Sequence, residues 1–234
     1  MKRIALSISV RSAAAAVLVL LTLTSCDSGS HKASPSPTTP SHFIAVASSC
    51  GGTLSTAASS AAKLLGASQV SVGPAKYQAT LKQEATALAG DLLSSGGAMF
   101  NHPLCAIRPK GSTIWFSISF KWDEYHAVPP LTTSTPDSSE YPNIGYGASS
   151  RDGNALLDFS CVLKSKHPGV ADGRGMYIEA TALTDKLNAL PSAQKREAQV
   201  RVLHAASLSV ATAMGCSTNL PRTLGPLTPL PLAS

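Results

Sequence analysis

Four cysteines, Cys50, Cys105, Cys161 and Cys216, stand at successive intervals of 55, 56 and 55 residues in a chain of 234. In an exported chain, an even number of widely spaced cysteines reads as a disulfide framework. Every pairing closes a long loop, so each bridge restricts the unfolded chain and contributes roughly 2–4 kcal/mol. Three pairings are open. The favoured one is Cys50–Cys105 with Cys161–Cys216, which would staple a helix layer to each of two hairpins. A zinc site wants cysteines two to four residues apart, and no pair here has that spacing.

Export is written at the N-terminus. Lys2 and Arg3 give a basic start, residues 13–23 are nearly all apolar, and Thr24-Ser25 are small residues before a fifth cysteine, Cys26. This is the pattern of a signal peptide over residues 1–25. Its apolar run is shorter than the ~20 residues a permanent membrane span needs. Leu23-Thr24-Ser25-Cys26 resembles the bacterial lipobox. The resemblance implies that the Cys26 thiol accepts a diacylglyceryl group and that cleavage just before it leaves Cys26 as residue one. The mature protein would then be a lipoprotein on the extracytoplasmic face of the cell membrane. Two or more acyl chains give stable anchoring, each buried methylene contributing about 0.8 kcal/mol. The alternative is an ordinary secretory signal in which Cys26 is incidental. The Ala-, Ser- and Pro-rich composition also looks like that of lipoproteins from high-GC Gram-positive bacteria. These resemblances cover about 26 residues and the general style of the chain, and imply no family for the domain.

Residues 26–42 hold the lipidated cysteine and a Ser/Pro/Thr-rich stretch with no aliphatic side chain larger than Ala33. Such a stretch cannot bury enough apolar surface to offset its ordering entropy, so it reads as a tether. Residues 43–220 read as one domain, and residues 221–234 as a Pro-rich tail, either docked loosely or presented as a polyproline-type ligand. The whole chain carries a formal charge of +6. Lys2, Arg3 and Arg11 leave with the signal, so 16 basic and 13 acidic residues remain, a net +3. That is too weak for a phosphate-binding surface, and no nucleic-acid partner is expected.

Within the domain, residues 77–95 place Tyr77, Leu81, Ala85, Leu88 and Leu92 on one helical face. Residues 192–214 form a second helix opened by Pro191-Ser192 and closed by Gly215; it would bury Val200, Leu203, Val210 and Met214 and turn Arg196 and Arg201 outward. A weaker Ala-rich helix covers about 53–65. Residues 112–122 alternate, with Ile114, Phe116, Ile118, Phe120 and Trp122 on one face. Leu157, Phe159, Cys161 and Leu163 repeat the pattern, as do Met176, Ile178 and Ala180, and a shorter strand carries Cys105 and Ile107. The class is α+β: an antiparallel sheet of about four strands in two hairpins, disulfide-stapled, with two to three helices packed on one face. The two hairpins echo each other from Cys105 and from Cys161, through duplication or chance.

No local catalytic motif is complete. Ser60-Ala61-Ala62-Lys63 and Ser192-Ala193-Gln194-Lys195 match Ser-x-x-Lys, yet its Ser-Asp-Asn and Lys-Thr-Gly partners are missing. Cys216 after Met214-Gly215 faintly resembles the cysteine of envelope transpeptidases, without the flanking His-Gly and Arg. His31, His42, His102, His126, His167 and His204 are scattered, and the carboxylates Asp123-Glu124 and Asp137 with Glu140 sit in an apparent loop. No catalytic residue, metal site or cofactor is therefore expected. Two features suggest recognition. The stretch 123–153 shows no strand or helix pattern and holds Tyr125, Tyr141 and Tyr146 among prolines, and such long loops are often functional. The polar sheet face would present Trp115 and Tyr177, unless a third layer such as the tail covers it. The expected function is a membrane-anchored, non-catalytic binding or interaction module for an envelope protein, peptide or glycan. The alternatives are an envelope hydrolase without a local motif and an assembly partner of a membrane complex.

Overall fold

The computed structural model describes residues 43–74, 78–94, 100–123, 134, 137–151, 153–163, 176–184 and 190–232, with the backbone alone at 92–94, 123, 176–179 and 183–184. The chain enters through β1 (Phe43–Ala45), three short 3-10 turns and α1 (Ala58–Leu65), then returns as β2 (Gln69–Val72). Next come α2 (Leu81–Ser94) and the hairpin of β3 (His102–Pro109) and β4 (Phe116–Asp123). The second half runs β5 (Ser138–Tyr141), β6 (Gly147–Arg151), β7 (Asn154–Leu163) and β8 (Met176–Thr184), followed by α3 (Ser192–Met214) and β9 (Cys216–Ser217).

The fold is α+β, with a nine-stranded antiparallel sheet and three α-helices among the described residues. Strand order is β1-β2-β3-β4-β8-β7-β6-β5, and β9 pairs with the end of β7 that β6 leaves open. Two meanders of four strands therefore meet along β4 and β8. The two expected hairpins, β3–β4 and β7–β8, are the middle of this sheet. The expectation of about four strands is corrected by β1, β2, β5, β6 and β9. None of these exceeds five residues, too short for a period to stand out, and β5 and β6 are rich in Ser, Ala and Gly.

Alternation decides the two faces. Phe116, Ile118, Phe120 and Trp122 of β4 are buried, as are Leu157, Phe159 and Cys161 of β7. They join Leu54, Leu64 and Leu88 from the helical side and Val200, Leu203 and Val210 of α3 in one core. The intervening Ser117, Ser119 and Lys121 are half-buried on the opposite face. The Trp122 indole N–H is satisfied inside the core by the Leu88 carbonyl of α2, at 2.6 Å. α2 begins at Leu81 rather than at Tyr77, which lies outside the described residues. A capping box explains the start: the Thr80 N–H donates to Gln83 Oε1 at 2.8 Å and the Gln83 N–H to Thr80 Oγ1 at 3.2 Å.

The stretch 123–153 is corrected most. Its second half is the β5–β6 hairpin, and every β5 residue is buried. Gly145 makes its turn possible with a φ of 64°, and a Cβ there would collide with the Asp158 carbonyl. α3 differs on one side chain. Arg196 points inward, 8% exposed, and its Nε donates to Ser139 Oγ at 2.9 Å. Beside it Ser150 Oγ donates to Gln199 Oε1 at 2.8 Å. A Ser-rich hairpin thus found a polar helix face to bury against, a match that no apolar period announces.

The tail is docked along α3. Its Pro221 carbonyl accepts from His204 Nε2 at 2.8 Å and its Gly225 carbonyl from Arg201 at 3.0 Å. Farther on, the Leu230 N–H donates to the Glu140 carbonyl at the β5 edge, at 2.8 Å. Leu220, Leu224 and Leu227 pack on the core. These contacts are with α3 and the sheet edge, not with the middle of the polar face.

The bridges are Cys50–Cys105 and Cys161–Cys216, one within each half. Intact mass should rise by four hydrogens on reduction of the domain, and four free thiols in the native protein would refute the pairing. Cys161→Ser with Cys216→Ser should destabilise the fold by roughly 2–4 kcal/mol, read as a lower urea midpoint with unchanged far-UV dichroism.

Candidate functional site

On the sheet face away from the helices, pairing register fixes which residues share a row. Across the first half, Phe43, Ser71 and Arg108 lie opposite one another on β1, β2 and β3. Trp115 follows Arg108 in the same row, because its neighbours Phe116 and Ile107 are paired. In the second half a row runs Glu140, Ser149, Leu156, Thr181, Ser119, and another runs Asp158, Glu179, Lys121. β8 places Tyr177 opposite Ser160 and Asp123.

Trp115 precedes β4 instead of lying within it, and its indole rests on the sheet. A Cβ on Gly73 would sit 3.2 Å from the ring and 3.0 Å from the Ala106 carbonyl, so the missing side chain leaves room for the indole. The Arg108 guanidinium covers the ring at 5.0 Å from its centroid, a cation–π distance. Ser71 is 7% exposed in the same row, and its hydroxyl donates to the Arg108 carbonyl at 3.3 Å.

The tyrosines divide. Tyr141 is 4% exposed in the core with its hydroxyl hydrogen-bonded to Ser139, so it offers no recognition surface. Burial raises its hydroxyl above the usual range. Tyr146 is 44% exposed, its N–H bonded to the Asp158 carbonyl at 2.8 Å. Tyr125 lies outside the described residues.

The titratable groups considered from sequence are also placed. Glu140 is buried and accepts from Ser149 Oγ at 3.0 Å. His102 is paired with Asp91 of α2 at 2.5 Å. His204 of α3 faces α1 and the tail. Because a carbonyl only accepts, Nε2 must carry the proton that reaches Pro221. Burial lowers the pKa of His204, so the ring is neutral at pH 7. Ser60, the first Ser-x-x-Lys serine, shares with His204, Thr56 and Arg201 a small cavity of about 140 Å³. No hydrogen bond joins Ser60 to His204 among the described residues, so the cavity holds no assembled nucleophile–base pair. A larger apolar groove of about 670 Å³ lies between α2 and α3, lined by Leu81, Ala85, Ala89, Gly90 and Met214. No group of three or more His, Cys, Asp or Glu residues able to hold a metal ion occurs among the described residues. Sequence reasoning missed the partnership of Trp115 with Arg108 and Gly73, because it joins β3 to the residues just after β2 and just before β4.

One buried group is out of place for a structural acid. Glu84 of α2 is 2% exposed, its Oε1 has no hydrogen-bond partner, and burial pushes its pKa up to about 8.

Comparison with family models, with curated proteins and with solved structures finds no match to this chain. The functional reading therefore rests on its own residues.

Glu84 gives a test with a definite sign. Its folded pKa of about 8 lies above the unfolded value of 4.5, so the folded state holds the proton more tightly. Stability is highest below the unfolded pKa and falls as pH rises through this window, levelling above it. Glu84→Gln should remove that decline and exceed the parent at pH 9 by on the order of 1–3 kcal/mol. Parallel urea-midpoint profiles for the two proteins from pH 5 to 9 would refute the assignment.

Proposed function

We propose that the protein is a lipoprotein held by Cys26 at the extracytoplasmic face of the cell membrane, and that its domain binds a partner there without catalysing a reaction. The anchor reading is supported by the lipobox-like Leu23-Thr24-Ser25-Cys26 after a basic and apolar leader. No helix among the described residues is long and apolar enough to cross a membrane, which is compatible with a lipid anchor. The observation that carries the binding reading is the half-buried Trp115 beneath the Arg108 guanidinium on the sheet face away from the helices. A rigid aromatic with few rotatable bonds covers area at little entropic cost, as recognition surfaces require. The hydrolase alternative would need a nucleophile within reach of His204 Nδ1, the nitrogen left as acceptor when Nε2 donates to Pro221.

Cys26→Ser should leave the chain unprocessed or release it from the membrane fraction. Normal retention of that variant would defeat the lipoprotein reading. For the face, Trp115→Ala should weaken retention on isolated envelope fragments about tenfold, the scale of an interfacial aromatic truncation, at unchanged melting temperature. Undiminished retention would take the binding role away from this surface.

A further inference from the structure

We propose that the β1 end of the sheet face away from the helices, around the half-buried Phe43, Arg108 and Trp115 and the exposed Lys110, docks on the surface of an anionic bilayer as a second membrane contact beside the lipid. This rests on the lipoprotein reading of Cys26 and names the partner of that part of the face. Phe43 and Trp115 stand at the two ends of one cross-strand row with Arg108 between them. Arg108 lies 5.0 Å from the Trp115 ring centroid, and Lys110 Nζ lies 5.4 Å from that of Phe43. Neither cation is ion-paired to a carboxylate among the described residues. By register the acidic residues in the rows of this face are Glu140, Asp158 and Glu179 on β5, β7 and β8, and Asp123 at the end of β4 away from Trp115.

Two unpaired cations over two aromatic rings is the chemistry of a membrane interface. Tryptophan settles at headgroup depth, and each Lys or Arg gains from anionic headgroups. Position selects the bilayer over a soluble acidic ligand. Phe43 belongs to the patch and also begins the domain, and only residues 27–42 separate it from Cys26. At the reach of an extended chain, about 3.6 Å per residue, that link spans no more than about 60 Å in any conformation. The patch therefore sits at the root of the connection to the membrane. A lipid together with a basic patch is a standard two-signal anchor.

Trp115 supplies the probe. It is one of two tryptophans, and the other, Trp122, is 1% exposed in the core. The full chain is reconstituted into vesicles containing bromine-labelled phosphatidylcholine, with or without phosphatidylglycerol. Quenching of Trp115 is expected only when phosphatidylglycerol is present, and should vanish at about 1 M salt, where the screening length is about 3 Å. Arg108→Ser with Lys110→Ser should lower the docked-to-undocked ratio roughly thirtyfold, about fivefold per cation. Equal quenching in neutral and anionic vesicles, or insensitivity to both salt and the double substitution, would overturn the proposal. So would quenching-free anionic vesicles combined with a Trp115 emission shift on adding a soluble acidic polysaccharide, which would assign the patch to a glycan. A chain that fails to float even with neutral vesicles lacks its anchor, and the lipoprotein reading falls. A chain that floats without charge-dependent quenching refutes the docking patch alone.

Discussion

The pairing of β4 with β8 is the constraint on which the rest of this structure depends. From Phe116 opposite Thr184 to Asp123 opposite Tyr177, the two strands run antiparallel in unbroken register. Each is the last strand of a four-strand meander, so this seam alone makes one sheet of two halves. It also fixes which side chains share a face. A slip of one residue would carry Ile118, Phe120 and Trp122 to the solvent side and Ser117, Ser119 and Lys121 into the core. Each disulfide closes within its own half, so neither bridge crosses the seam, and side-chain packing holds it.

The core beneath the second half is not simply apolar. Ser139 and Ser150 of the β5–β6 hairpin meet Arg196 and Gln199 of α3, and these hydrogen bonds stand in for the hydrocarbon contacts of the first half. A buried polar group left unmatched costs roughly 1–3 kcal/mol, so these pairs favour one placement of α3 over neighbouring ones. The tail reinforces that placement by hydrogen-bonding Arg201, His204 and the edge of β5. It caps a strand edge that would otherwise be open to pairing with another chain. The opposite face of the sheet keeps its serines, Lys121 and the Trp115–Arg108 pair, and it is there that the proposed binding resides.

Much of this was readable residue by residue. α3 spans the interval marked by Pro191 and Gly215, with Gly215 in the left-handed conformation that ends it. β3, β4, β7 and β8 coincide with runs of alternating side chains, and the pairing observed is the one favoured among the three that the cysteine spacing leaves open. The errors fall where local pattern carries no information. β5 reads Ser-Ser-Glu-Tyr and β6 Gly-Ala-Ser-Ser-Arg, neither with an apolar period, and their burial depends on a helix that follows some forty residues later in the chain. The helical pattern turns Arg196 outward because an isolated helix gives a guanidinium no reason to face inward. Its partner Ser139 is 57 residues distant.

The sequence by itself determined the α+β class, the four amphipathic strands, the long C-terminal helix and the set of four cysteines available for bridges. These follow from side-chain periodicity, stop signals and cysteine count, all of which act over short stretches or by number. Only the tertiary structure decided that the sheet has nine strands, that Tyr141 is buried, that the tail runs along α3, and that Gly73 makes room for Trp115 under Arg108. Each of these joins residues far apart in the chain, and only closure of the sheet decides which distant side chains become neighbours.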